Sequence, residues 1–476
     1  MPGWFDDAGL ATGLATQEDE TRIISASSGG MNRAVSGAMG RAIASGSVAL
    51  VLVVACAAPV AGPDSAKRDP TFGKADGQSL GPTDIESIDL SLDLERAEGT
   101  AIIEFGIDAE AVLTVGELDI RAVHDARGPL EYVQEGQQLS LRDSVEGPLT
   151  VFYGFPERPS GFDGWLPGSG VTFLWPYFCG NLFPCNPRPA DGVRLSAEIR
   201  GAASGSALIY PRSIDTAAPP YMFAVATGDY AFEDLGATDV GTRVGVWYLP
   251  GGRDDALRGT ELLPDAFAFL ERTYGDYAFG DEVASVAADW GPGAVGGMEH
   301  HPYWHVAKGA MSDPVVHVHE AAHGWYGNGV RIRCWEDFVL SEGVTSYLAA
   351  RALAAAGGDE VRKQVWADYS RDLRQAVSLG DTEAWPQGAC NGIDLLHHPL
   401  WGKIPYMKGA FFLRAVADEI GEGVLDGVLR RFYETHVGGD AAGVADLLEA
   451  IESDSGFDPT SLAEVWLRGR GVPQTQ

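Results

Sequence analysis

Basic side chains are scarce in this chain. Its 34 Lys and Arg face 67 Asp and Glu over 476 residues, a formal charge of −33. Nothing in that balance would neutralise phosphates, which excludes a nucleic-acid binder. The excess acid reads as solubility in an exported protein rather than as attraction to a basic partner. Long apolar runs are missing too. The strongest, from about Ala42 to Ala55, is too short for a membrane-spanning helix. The Gly-rich stretch Gly291–Gly297 lacks the Lys-Ser/Thr of a phosphate loop, so nucleotide binding is rejected. Cysteine is sparse, with five residues, and Cys-x5-Cys without a partner pair is poor spacing for a Cys-rich zinc site.

The short apolar run instead suits a signal h-region, preceded by Arg33 and Arg41. It ends in Leu52-Val53-Val54-Ala55-Cys56, like a bacterial lipobox, with Cys56 as the lipidated first residue. Residues 1–56 are therefore expected to be an upstream extension plus signal peptide, with translation starting at Met31 or Met39. An ordinary signal peptide or a short buried helix are the alternatives. The expected location is the cell envelope, with the lipid at Cys56 giving membrane association. Four cysteines then remain, an even number that suggests two disulfides. Local closure pairs Cys179 with Cys185 and leaves Cys334 for Cys390.

Residues 57–83, rich in Pro, Gly, Ala, Asp and Ser, read as a tether. From Ile85 the period becomes two, with Ile88, Leu90 and Leu92 alternating with Asp89, Ser91 and Asp93. Short runs at 101–107, 111–120, 138–142, 149–153, 193–199, 207–210 and 221–229 continue the pattern, describing an antiparallel sandwich or curved sheet over 84–238. Residues 239–476 mix strands at 243–249 and 283–289 with helices over about 255–275, 409–420, 424–436 and 441–452.

The chemistry concentrates between Ser312 and Tyr347. Ser312 or Asp313 can cap a helix whose first turn holds Pro314, where a missing N–H costs nothing. On it His319 and His323, four apart, share a face, and Glu320 sits beside them as a candidate base. Residues 324–341 separate His323 from Glu342, on a second helix expected from Asp337 to about Ala356 and stopped by Gly357-Gly358. Two imidazoles and a carboxylate that return to one point make three ligands of a zinc site with an open fourth position, one Zn²⁺ per chain. His317 points away from that face and is left out. His300, His301, His305, His397 and His398 are treated as cleft or surface. Upstream, Gly296-Gly297 allows backbone to approach a ligand and Glu299 sets a carboxylate beside that approach, able to hold an ammonium group.

These residues resemble the aminopeptidase N-type branch of the gluzincin zinc metallopeptidases. Four motifs occur in order. Gly296-Gly297-Met298-Glu299-His300 resembles the family's Gly-x-Met-Glu-Asn, with His300 in place of Asn. His319-Glu320-Ala321-Ala322-His323 with Glu342 resembles its zinc signature, and His323-Gly324-Trp325-Tyr326-Gly327-Asn328 its continuation. Tyr406-Met407-Lys408-Gly409-Ala410 resembles the stretch that holds its catalytic tyrosine. The resemblance implies an α+β protein, a β-sandwich or saddle followed by a thermolysin-like, mainly helical catalytic domain with a small sheet. It implies His319, His323 and Glu342 as zinc ligands, Glu320 as general base and acid, and Tyr406 at the oxyanion. Gly296, Gly297, Met298 and Glu299 would bind peptides with a free N-terminus. The C-terminus at residue 476 falls where the family's catalytic domain ends, which implies a cleft without the roofing helical domain of larger members.

Overall fold

The computed structural model describes residues 83–473, apart from 107–110, 143, 160, 162, 292–293, 295, 389 and 391. The leader, Cys56 and nearly all of the expected tether lie outside the described residues.

The alternation that begins at Ile85 does what its period dictates. In the strand Ile85–Asp93, Ile88, Leu90 and Leu92 are buried while Asp89 and Ser91 are exposed. The strand lies inside a seven-stranded sheet, between Glu98–Phe105 and Val193–Arg200. Its pairing with Val193–Arg200 is parallel, from Ser87 opposite Arg194 to Asp93 opposite Arg200, so the sheet is mixed rather than purely antiparallel. The expected strand over 111–120 is two strands, Val112–Thr114 and Asp119–Asp125, because Gly116 turns the chain at φ 47°. They join different sheets. Residues 221–229 carry a 3-10 turn, Pro220–Met222, before the short strand Ala226–Gly228. A four-stranded and a three-stranded sheet complete this β region.

A further, five-stranded sheet runs in the order Ala231–Ala237, Arg243–Tyr248, Glu282–Ala288, Tyr303–Ala307, Gly297–Met298. The edge strand Gly297–Met298 therefore borders the region where the helices gather. The expected helix over 255–275 is two, Arg253–Gly259 and Leu263–Tyr274. The histidine helix Pro314–Ala322 is capped by Asp313, whose side chain accepts from the Val315 N–H at 3.0 Å. Every residue from Val315 to Ala322 is buried. The glutamate helix starts at Phe338 and does break at Gly358 (φ 79°), yet helix resumes at once and runs to Leu379. The tyrosine helix, Ile404–Ile420, packs along it, followed by helices Glu422–His436 and Val444–Ser455.

Both expected disulfides are present, Cys179–Cys185 and Cys334–Cys390. Among the described residues no helix is long and apolar enough to cross a membrane.

Candidate metal centre

The histidine and glutamate helices bring three donors to one point. His319 Nε2 lies 3.1 Å from Glu342 Oε2, His323 Nε2 lies 3.3 Å from the same oxygen, and the two Nε2 atoms are 3.2 Å apart. Donors each about 2.0 to 2.1 Å from one zinc ion at tetrahedral angles stand about 3.3 Å apart. The triangle thus has the size that zinc ligation requires, and the donor set fits the ion.

The imidazole of His323 is aimed from behind. Its Nδ1–H donates to the Tyr326 carbonyl at 3.0 Å, which turns Nε2 toward the triangle. Gly327 makes room for this: a Cβ there would lie 2.6 Å from His323 Nδ1. Gly327 has φ 102°, a left-handed conformation that favours glycine, five residues after the helix stops at Ala322. Burial alone would depress the basicity of His323, but Glu342 and Glu299 outweigh it and raise it. Burial likewise penalises the charged Glu342, but His323 and hydrogen bonds from both imidazoles hold its carboxyl below the usual range. For His319 burial wins and its basicity falls.

Glu320 is buried against the edge strand. A Cβ on Gly297 would stand 2.4 Å from Glu320 Cγ, so glycine at that position is what lets the carboxylate lie there. Behind it, His301 Nε2–H donates to the Glu320 carbonyl at 2.8 Å, and His301 Nδ1 accepts from the Tyr277 hydroxyl at 2.7 Å. Glu299 is 1% exposed. Its ligand atoms and those of Glu320 and His323 lie within 4.8 Å of one another. Burial pushes its carboxyl up to about 7, with His323 opposing and Glu342 reinforcing the shift. The Tyr221 hydroxyl is in hydrogen-bonding reach of that carboxylate, while Oε1 has no partner among the described residues. Tyr406 stacks on His319, ring centroids 5.7 Å apart and 24° between planes, and meets Phe338 edge-on at 5.9 Å. All the residues singled out in the sequence, His319, His323, Glu342, Glu320, Tyr406, Met298 and Glu299, are buried around this one centre.

Other readings change. His300, His301 and His305 are buried, so none of them is at the surface. His317 does turn away, its Nε2–H donating to the Met311 carbonyl at 2.8 Å and Nδ1 accepting from Ser285 at 2.8 Å. Sequence reasoning missed Tyr221, His301 and Asn328. Of these Asn328 carried a signal, its place just after the zinc signature.

Residues 307–466 match the model of the peptidase family M1 domain. Over this stretch the chain is similar to peptidase family M1. Leucine aminopeptidase 2 of Coccidioides immitis is 28% identical over 262 residues, covering 53% of this chain and 41% of that relative. The chain thus spans less than half the length of that curated relative. The M1 zinc metallopeptidase from Deinococcus radiodurans has the same fold, with a TM-score of 0.69, 19% identity, and coverage of 83% of this chain and 96% of that one. A mutant of it bound to a Tyr-Ser-Ala substrate superposes with a TM-score of 0.67 at 19% identity, covering 83% of this chain and 97% of that one. Both likenesses bear on the two-part M1 architecture, a β region followed by a helical catalytic domain.

Proposed function

We propose that this protein is a zinc-dependent aminopeptidase that hydrolyses the first peptide bond of peptides with a free N-terminus. The carrying observation is Glu299, a buried carboxylate with one oxygen that has no partner among the described residues, placed beside the His319–His323–Glu342 triangle. A buried acceptor left open calls for a donor from outside the chain, and an ammonium group supplies one with charge.

In this reading His319, His323 and Glu342 hold one zinc ion. Bound there, zinc supplies Lewis acidity toward water and the scissile carbonyl. Glu320 takes a proton from the attacking water as the C–O bond forms, and passes it to the leaving amine as the C–N bond breaks. Tyr406 donates its hydroxyl to the oxygen that becomes negative. Glu299 binds the substrate ammonium and so registers the first peptide bond over the metal ligands. The edge strand Gly297–Met298 offers backbone for an extended peptide to pair with.

The decisive assay uses purified protein of measured zinc content on aminoacyl reporters with N-acetylated controls. Loss of signal on acetylation is expected; equal rates overturn the exo reading and favour an endopeptidase or another hydrolase on this scaffold. An inert protein with zinc bound would instead identify a catalytically silent peptide-binding member. Export and a lipid anchor at Cys56 belong to the same reading, supported by the apolar run ending in Leu-Val-Val-Ala-Cys and by the two disulfides. Mass spectrometry of mature protein tests it: an unlipidated chain that begins upstream of Cys56 refutes the anchor.

A further inference from the structure

Asn328 follows the histidine helix by a few residues, is 0% exposed, and has no place in the chemistry above. It touches both halves of the site. Its backbone N–H donates to the carbonyl of His323 at 3.1 Å, and its side-chain Nδ2 donates to the carbonyl of Glu299 at 2.7 Å. The same turn supplies the Tyr326 carbonyl that fixes the His323 imidazole. Thr345 of the glutamate helix also donates to that carbonyl, at 3.0 Å. The turn is rigid: the Gly327 N–H donates to Val330 O at 3.0 Å and the Val330 N–H to Trp325 O at 2.8 Å. Glu299 has no comparable support from its own strand, which ends at Met298.

We infer that Asn328 is the positioning residue that sets the distance between the amine anchor and the metal ligands, through the bridge from the His323 carbonyl to the Glu299 carbonyl. The inference rests on Glu299 acting as the ammonium anchor. Two segments, one following the edge strand and one capping the histidine helix, are joined by one residue that donates to both, through its backbone N–H and its side-chain amide. A free N-terminus held by Glu299 is then delivered at a fixed register over the zinc ligands. A misplacement of about 1 Å at such a point can cost on the order of 100-fold in rate. Asn328 makes no contact with substrate in this scheme; it acts only through Glu299.

The test uses full-length zinc-loaded protein and the variants Asn328→Ala and Asn328→Asp. The second keeps the size of the side chain but replaces the amide donor with an acceptor facing the Glu299 carbonyl. For free-amine aminoacyl reporters, kcat is expected to fall on the order of 10- to 100-fold in both. Residual cleavage of N-acetylated reporters is expected to stay at the wild-type level, so the preference for a free amine collapses. Zinc content by elemental analysis should stay at the wild-type value, which separates lost register from a lost site. Inhibition by a free amino acid gives a second readout that needs no turnover, and its Ki should rise in parallel. Variants that keep the wild-type preference and Ki overturn the inference. So does a variant in which free-amine and acetylated rates fall equally, since that is loss of folding rather than of register. A wild-type enzyme that does not discriminate against acetylation would refute the Glu299 reading itself, before any variant is made.

Discussion

At the scale of single residues, Glu320 and Gly297 form a unit. The carboxylate occupies the space where a Cβ on residue 297 would stand, 2.4 Å from its Cγ. Gly297→Ala must therefore shift either the edge strand or the Glu320 carboxylate. We expect kcat to fall by one to two orders of magnitude, about what misplacement of a reacting group costs, with zinc content unchanged by elemental analysis. Glu320→Gln keeps the shape and removes the base, so kcat should fall on the order of 100- to 10,000-fold while zinc is retained. A Gly297→Ala enzyme of wild-type kcat would show that Glu320 can act from elsewhere. Helical spacing made the histidine pair readable from sequence, while Glu299 and Tyr406 were read through motif resemblance. His319, Glu320 and His323 share a helix, and Glu342 returns on the next one. Tyr221 and His301 could not be read, because their partners Glu299 and Tyr277 lie on other elements and no local pattern marks the pairing.

At the scale of elements, the site depends on two helices crossing closely. A Cβ on Gly343 would be 2.7 Å from Gly409 Cα, and a Cβ on Gly409 would be 2.5 Å from Gly343 Cα. These glycines follow Glu342 directly and Tyr406 by three residues. Their contact sets how far the glutamate helix stands from the tyrosine helix. Gly409→Ala forces the helices apart, and overpacking of this kind costs about 1 to 3 kcal/mol. The expected outcome is a lower denaturant midpoint with the slope unchanged, together with lower kcat, because Tyr406 leaves its stacking position over His319. Unaltered midpoints would show that the helices slide at no cost. The sequence signals for these helices were sound in kind and incomplete in extent. Gly357-Gly358 does end the first helix, but residues beyond Gly358 start another, because one left-handed glycine redirects the chain without preventing helix on its far side. Similarly, Ile85–Asp93 announced a half-buried strand by its alternation, while its parallel partner Val193–Arg200 lay too far along the chain for any local pattern to name.

At the scale of the molecule, the β region and the helices are tied by Arg331, which lies between the histidine and glutamate helices. Its guanidinium donates to the carbonyls of Ala190 at 3.2 Å and Ala217 at 2.8 Å in the β region, and to Gly439 after the helix Glu422–His436. A Cβ on Gly192 would lie 2.2 Å from Arg331 Cζ, so the fork fits only where the chain is bare. Beside it Asp191 is buried, and burial raises its carboxyl to about 7 even though the Ile85 N–H and Arg331 favour the anion. An unfolded aspartate ionises near about 3.9. Between those two values the folded chain holds a proton that the unfolded chain has released. Raising the pH across that window therefore removes stability, by at most about 1.4 kcal/mol per pH unit. Above about 7 both states are ionised and the loss is complete. Asp191→Asn keeps a neutral acceptor for the Ile85 N–H and lacks the proton. Its melting temperature should gain on that of the parent as pH rises from 4 to 7 and then stay at a constant offset. All other titrating groups are common to both proteins and cancel in that difference. Parallel melting curves across the window would mean that Asp191 is ionised at the junction and paired with Arg331. The tie would then be a buried ion pair, and its removal by Asn would destabilise the protein at every pH above the ordinary aspartate range.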